Sequence, residues 1–384
     1  MKHWIVLAAC LALGACTSVA PPAAPAHHLL ADGLFGPPSV PIRADEVFAL
    51  SDAMRAYAAR DMQVLLRQRG QQQGLVDALY SKGQLKLEYD AVLTRNAAQA
   101  FEARAGNCLS LVIMTAAFAK HLGMPVRYQN VLVEETWSRE RDLYLASSHV
   151  NLSLAKRPAE ARVGFDAAHL LTIDFLPPEE IRGHRTREVG EQTIVAMFLN
   201  NRAVESLMRG QLDDAYAWAR EALVQDPAYL RAFNTLAVIY LRHGDAAHAE
   251  RALQHVLESE PANTRALSNL VRALQAQGRQ GDSALVAARL AQIEPFPPYH
   301  FFNLGRAAFD AGDLRRASDL FAKEVARASY HHEFRFWLAV TQFGLGEFES
   351  ADRNMVLARE YSPTRLQQQR YAEKLEHLRS YRTQ

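Results

Sequence analysis

Arg104-Ala-Gly-Asn-Cys-Leu-Ser-Leu-Val-Ile-Met-Thr-Ala-Ala-Phe-Ala-Lys-His-Leu-Gly123 is the stretch on which the N-terminal half of the chain turns. Asn107 is a good helix N-cap, because its side-chain oxygen can take one of the N–H groups that a first turn leaves unpaired. From Cys108 onward Leu109, Val112, Ile113, Ala116 and Ala119 recur at helical spacing, and Gly123 and Pro125 then stop the run. The spacing predicts a mostly apolar helix headed by one cysteine. In a first turn, unpaired N–H groups and the positive end of the helix dipole favour a thiolate over a thiol. Cys108 is therefore either a nucleophile or a small buried side chain.

Composition bears on that choice. The chain has 384 residues, 49% hydrophobic and 22% charged, which is globular material with room for two domains or more. A formal net charge of +1 gives no basis for a nucleic-acid partner. The three cysteines are Cys10, Cys16 and Cys108. The first two lie in a leader in which Lys2 precedes an apolar run, Trp4 to Leu13, followed by small residues, the pattern of an export signal. Leu13-Gly14-Ala15-Cys16 also resembles the bacterial lipoprotein cleavage box. That resemblance implies a signal peptide over 1–16 cleaved just before Cys16, which becomes the lipidated mature N-terminus and a membrane anchor. Thr17, which is not acidic, implies the outer membrane, with the protein on the periplasmic side of the cell envelope. After processing, Cys108 is the one thiol expected in the folded part, with no partner for a disulfide.

Residues 17–42 are rich in Pro and Ala without periodicity and read as a tether. His27-His28 in such a tail is more often inert than a metal site. A helical pattern spans Ala44 to Arg69, a second helix is expected over Leu75 to Ser81, and a third opens near Thr94. After Pro125 the period switches to alternation: Val126–Val133 reads as a strand and Glu134–Arg141 as a polar loop. Ser147–Leu154 reads as a second strand with His149, Asn151 and Ser153 on one side. A charged insertion, Lys156 to Asp166, precedes a third strand, His169–Phe175, which Pro177 and Pro178 end.

From about Ala196 a repeat takes over. Gly210, Gly244, Gly278, Gly312 and Gly346 are spaced 34 apart, and Pro227, Pro261, Pro295 and Pro363 keep the same phase, with Ser329 in the remaining slot. Small residues precede the glycines at Ala203, Ala237, Gly305 and Ala339, with Val271 the exception. Others follow at Ala215, Ala249, Ser283, Ala317 and Ala351. This period, with small residues at helix crossings and a turn glycine, is the tetratricopeptide (TPR) signature. Five repeats over 196–363 are expected to form an all-α solenoid, with 364–384 as a polar capping helix. Such arrays present a groove that holds a peptide or protein partner.

A cysteine at a helix start, a histidine on a later strand and an acid on another are the parts of a nucleophile–base–orienter triad. Cys108 would attack an acyl group, His149 would carry the proton and Asp174 would orient the ring. Taken singly, each of these residues is more often structural than catalytic. Tyr89-Asp90, Thr94-Arg-Asn-Ala-Ala, Ala105-Gly-Asn-Cys-Leu-Ser, Leu122-Gly-Met-Pro-Val126, His149 and Ile173-Asp174 together resemble the transglutaminase-like fold. The resemblance covers roughly residues 85–178. It implies a papain-like Cys-His-Asp core of the kind found in bacterial peptidases and amidases, with the Cys108 N–H as a first oxyanion donor. Gly-Asn-Cys-Leu-Ser-Leu also resembles a subgroup in which such a domain precedes TPR repeats, and in part of that subgroup the cysteine is replaced. The chain departs from the pattern at Asn151, where family members often carry an aromatic residue. The charged insertion makes Asp166 a competing orienter. Tyr330-His331-His332 stands where the fourth repeat should carry its proline and reads as an irregularity of the repeat.

The expectation is an α+β transglutaminase-like domain over 43–190 followed by the TPR solenoid. Its function would be thioester-mediated hydrolysis of a peptide or amide, or transamidation, at Cys108, with no cofactor and no resident metal. The alternative is a catalytically silent envelope scaffold that binds partner proteins through the repeats. A third reading is a cell-wall peptide binder without turnover.

Overall fold

The computed structural model describes residues 27–81, 85, 88–89, 93–140, 143–155, 170–175, 185–362 and 365–382. The leader with Cys10 and Cys16, the segment 17–26, Asp90, Asp166, His169 and the Pro177-Pro178 pair lie outside the described residues, as does Pro363.

Helix α1 (Asp52–Arg69) starts where the Ser51 side chain accepts the Met54 N–H, so the pattern beginning at Ala44 is a separate 3-10 turn (Ala44–Glu46) followed by a capped helix. Met54, Ala58, Met62 and Leu66 form its buried stripe. Gly70, at φ 80°, redirects the chain into α2 (Gln71–Tyr80). Gly74 there lies so close to the α1 backbone that a Cβ would come within 2.7 Å of Leu66 Cα. A two-residue strand β1 (Glu88–Tyr89) pairs in parallel with β2 (Ala105–Gly106), and α3 (Ala97–Ala103), opened by an Asn96–Gln99 capping box, lies between them. Arg104 takes a left-handed turn at φ 50° and delivers the chain through β2 to α4 (Cys108–His121). This helix is buried almost all round, with Ile113, Met114 and Phe118 fully covered.

Strands β3 (Val126–Glu140), β4 (Leu143–Leu154), β5 (Leu171–Ile173) and β6 (Arg185–Val189) form an antiparallel sheet of order β5-β4-β3-β6. Two features differ from the sequence reading. Residues 134–140, expected in a loop, continue β3, because a register shift between Val131 and Thr136 lets the ladder resume opposite β4. Strand β6 pairs with β3 from Tyr128 to Leu132 and has no counterpart in the sequence reading, since its charged sequence Arg-Thr-Arg-Glu-Val sits on a sheet edge and carries no apolar alternation.

The C-terminal half is an all-helical TPR solenoid. Its helix pairs are α5 (Glu191–Met208) with α6 (Leu212–Gln225), α7 (Leu230–His243) with α8 (Ala246–Ser259), and α9 (Thr264–Ala276) with α10 (Gln280–Ile293). Two more follow, α11 (His300–Asp310) with α12 (Leu314–Arg327) and α13 (His332–Gly344) with α14 (Phe348–Glu360), and α15 (Arg365–Arg382) closes the array. The five phased glycines all sit between paired helices at positive φ, from 73° to 102°, which is why each turn uses glycine. Helix α5 touches α7 and α7 touches α9. In TPR-like solenoids first helices stacked in this way line the concave side. One continuous core runs from Leu29 through α4 and the sheet to Leu274 on α9, a second, separate core starts at Tyr299, and a small third joins Ala339, Met355 and Leu375.

Residues 27–42 belong in part to a docked segment and not wholly to a free tether. Tyr240 donates its hydroxyl to the Leu29 carbonyl, Tyr216 joins the Ala31 N–H to the Asp32 carboxylate, and Arg220 pairs with Asp32 at 2.9 Å. Phe35 stacks on Tyr216 with ring centroids 4.1 Å apart. The Ser39 N–H and hydroxyl both reach Asp214. Leu29 and Phe35 supply apolar anchors that a Pro/Ala count does not reveal.

Candidate active site

Three elements converge on the Cys108 thiol. Helix α4 places Cys108 in its first turn, where the Asn107 side chain caps the Ser110 N–H at 2.9 Å. Cys108 is a free thiol, 8% exposed. Strand β4 packs against α4 and carries His149, 5% exposed. Pairing of β4 with β5 sets Leu152 opposite Ile173, so Asn151 and Asp174 come next in that register and His149 stands one pleat further along the same face. Asp174 lies just past the end of β5, not within a strand.

His149 Nε2 stands 2.5 Å from Asp174 Oδ1, and the Asn151 amide donates to Asp174 Oδ2 at 2.8 Å. The Cys108 thiol is near enough to the imidazole for its hydrogen bonding and charge to bear on the His149 pKa. Burial alone would lower the His149 pKa; the hydrogen bonds to Asp174 and Cys108 and the charges of both outweigh it, raising the group to about 9. The shift favours the imidazolium form of the ring beside the Asp174 carboxylate. That arrangement stabilises a thiolate and stores a proton for a leaving group.

The Asn151 position, which departs from the aromatic usual in the resembling family, therefore carries a donor that fixes the second oxygen of the carboxylate. Its place two residues after His149 is the sequence signal for a shared face. What it touches depends on the register of β5, which local sequence does not contain.

The other singled-out residues lie elsewhere. His27 and His28 belong to a short 3-10 turn at the start of the docked segment. His331 is buried against Phe334 and meets the Tyr299 hydroxyl at 2.9 Å. His332 faces the Tyr371 hydroxyl, and burial pushes its pKa down to about 4. Both histidines act in packing of the last repeats.

A tetratricopeptide-repeat family model matches residues 234–298 and 302–351, both spans within the repeat half. Among solved structures, PilF of Pseudomonas aeruginosa is 19% identical, covering 50% of this chain and 88% of that one at a TM-score of 0.29. A thermophilic TPR protein of Thermus thermophilus is 20% identical, covering 47% and 98% at a TM-score of 0.29. YrrB, a TPR protein with an unusual peptide-binding site, is 17% identical, covering 46% and 92% at a TM-score of 0.25. No curated protein matches.

Proposed function

We propose that the chain is a protein-binding scaffold whose TPR array holds a protein or peptide partner on its inner helices. The observation that carries this reading is the run of phased helix pairs over 191–360, which the TPR family model matches in part. Stacked pairs of this kind expose a long concave surface suited to an extended partner. Photo-crosslinkers at Asn234, on an inner helix, and at Leu285, which is 73% exposed on the second helix of its pair, test it in the full chain. Adducts from Asn234 and not from Leu285 are expected; equal yields would refute binding through the groove. In keeping with the leader sequence, the proposal places the scaffold in the cell envelope, anchored through a lipid on Cys16.

A second reading rests on a different observation, the Cys108–His149–Asp174 arrangement, and makes the N-terminal domain a transglutaminase-like acyl-transfer enzyme. The Cys108 thiolate attacks an amide carbonyl and forms a C–S bond; the C–N bond breaks and the His149 imidazolium gives its proton to the leaving amine. Water, or an amine in transamidation, then attacks the thioester and gives a proton to His149; the C–S bond breaks and the thiolate–imidazolium pair is restored. Asp174, held by Asn151, keeps the ring aligned throughout. The comparisons bear only on the repeats, so the silent scaffold stands first and the enzyme second. A thiol-alkylating probe separates them. The enzyme reading requires fast Cys108 labelling near neutral pH that slows at least about tenfold in His149→Ala, while a native thiol slower than the unfolded one leaves the scaffold alone.

A further inference from the structure

The cap of the cysteine helix is held from the repeat array. Asn107 Oδ1 accepts from the Ser110 N–H and hydroxyl, and its other end, Nδ2, donates to Thr94 Oγ1 at 3.0 Å. With Nδ2 held, the amide cannot turn over and present a donor to the helix start. Thr94 is buried and is itself held by two residues of α5: its N–H donates to Glu205 Oε1 at 2.7 Å, and its hydroxyl oxygen accepts from Asn201 Nδ2 at 3.2 Å. Arg202 balances the Glu205 charge at 2.7 Å. Asn201 and Glu205 are four residues apart and share one face of α5.

Solenoid packing does not call for the Glu205 acid, whereas asparagine recurs in phase with Asn201 at Asn269 and Asn303. At the positions in phase with Glu205 the later repeats carry Ile239, Ala273, Ala307 and Thr341, so an acid occurs there only in the first repeat. The residues serve the contact with the N-terminal domain.

We propose that Asn201 and Glu205 are positioning residues for the Cys108 thiol, acting through Thr94 and Asn107, so that the first TPR helix is a working part of the candidate active site. This rests on the reading of Cys108 as a nucleophile. A helix start that is loosened shifts the first turn away from the geometry in which its N–H groups and dipole face the sulfur.

The test is iodoacetamide labelling of Cys108 in the full-length protein, with circular dichroism as the check on folding. Thr94→Val, which keeps the shape and removes the hydroxyl, and the Asn201→Ala/Glu205→Ala pair should each slow labelling near neutral pH about tenfold. Thr94→Ser and Glu205→Gln, which keep the acceptors, should label at close to the wild-type rate, and all variants should label alike when denatured. A purely structural role would lower the melting temperature without this pattern. Folded Thr94→Val labelling at the wild-type rate overturns the proposal and leaves the thiol reading intact; should the double variant fail to fold, Thr94→Val alone decides. A wild-type Cys108 no faster than the denatured one overturns both.

Discussion

His149 is the residue at which the candidate chemistry and the stability of the fold meet. Its pKa stands at about 9 against an ordinary 6.5, so the folded state holds the ring proton more tightly than the unfolded state does. The linked stabilisation is fully present below about pH 6.5 and is lost as pH rises through about 9. Wild-type protein should therefore lose on the order of 2 kcal/mol more than His149→Gln between neutral and strongly alkaline pH, as read from denaturant melts. Parallel losses would show that the folded protein does not hold a charged ring. At this scale the sequence is informative but incomplete. Alternation puts His149 and Asn151 on one face, and Asp174 lies between Ile173 and Phe175, all local signals. The bonds among them depend on the pairing of Leu152 with Ile173 across an insertion. The role of Thr94 depends on a helix more than a hundred residues away.

Among the elements, the repeats are the most legible, because a fixed period writes the same packing demand many times. Gly305 shows how strict that demand is. A Cβ there would come within 2.7 Å of the Phe321 ring, which is fully buried and flanked by Phe302 and Trp337. Gly305→Ala should destabilise the protein by about 1–3 kcal/mol, and Gly305→Ala/Phe321→Leu should recover part of the loss. A neutral single variant would mean that the ring has room the structure does not show. The sheet is less legible. The first half of β3 and the second half of β4 alternate as strands should, but the hairpin between them is long and polar, and backbone pairing carries it past a bulge. The edge strand β6 has no apolar face to announce it. The docked segment at 27–39 is hidden for another reason: its polar anchors are mostly backbone carbonyls and N–H groups that meet Tyr216, Tyr240, Asp213 and Asp214, a match written on the partner helices.

At the level of the whole molecule, the boundary between cores does not coincide with the boundary between domains. The N-terminal domain and the first repeats share one apolar interior, which reaches Leu274, while Tyr299 opens another beyond the Phe296-Pro297-Pro298 connection. Ile293 and Phe296 remain partly exposed at that junction. In a solenoid each repeat is stabilised by its neighbours, so a gap in the shared interior divides the array into separately opening units. Native-state hydrogen exchange should show α11 to α15 opening at a lower free energy than α4 and α5 to α9. A single opening energy for all of them would count against the division. The docked N-terminal segment adds a topological consequence to the same picture. The chain is pinned to α6 and α7 by residues 29–39, leaves to build the domain that carries Cys108, and returns through α5 into the same repeats. About 150 residues are thereby closed into a loop clasped at both ends, and the contacts of the clasp must outweigh the chain entropy that closing the loop costs. Damage at Tyr216 or Asp214, far from the thiol in sequence, would loosen the fold that positions it.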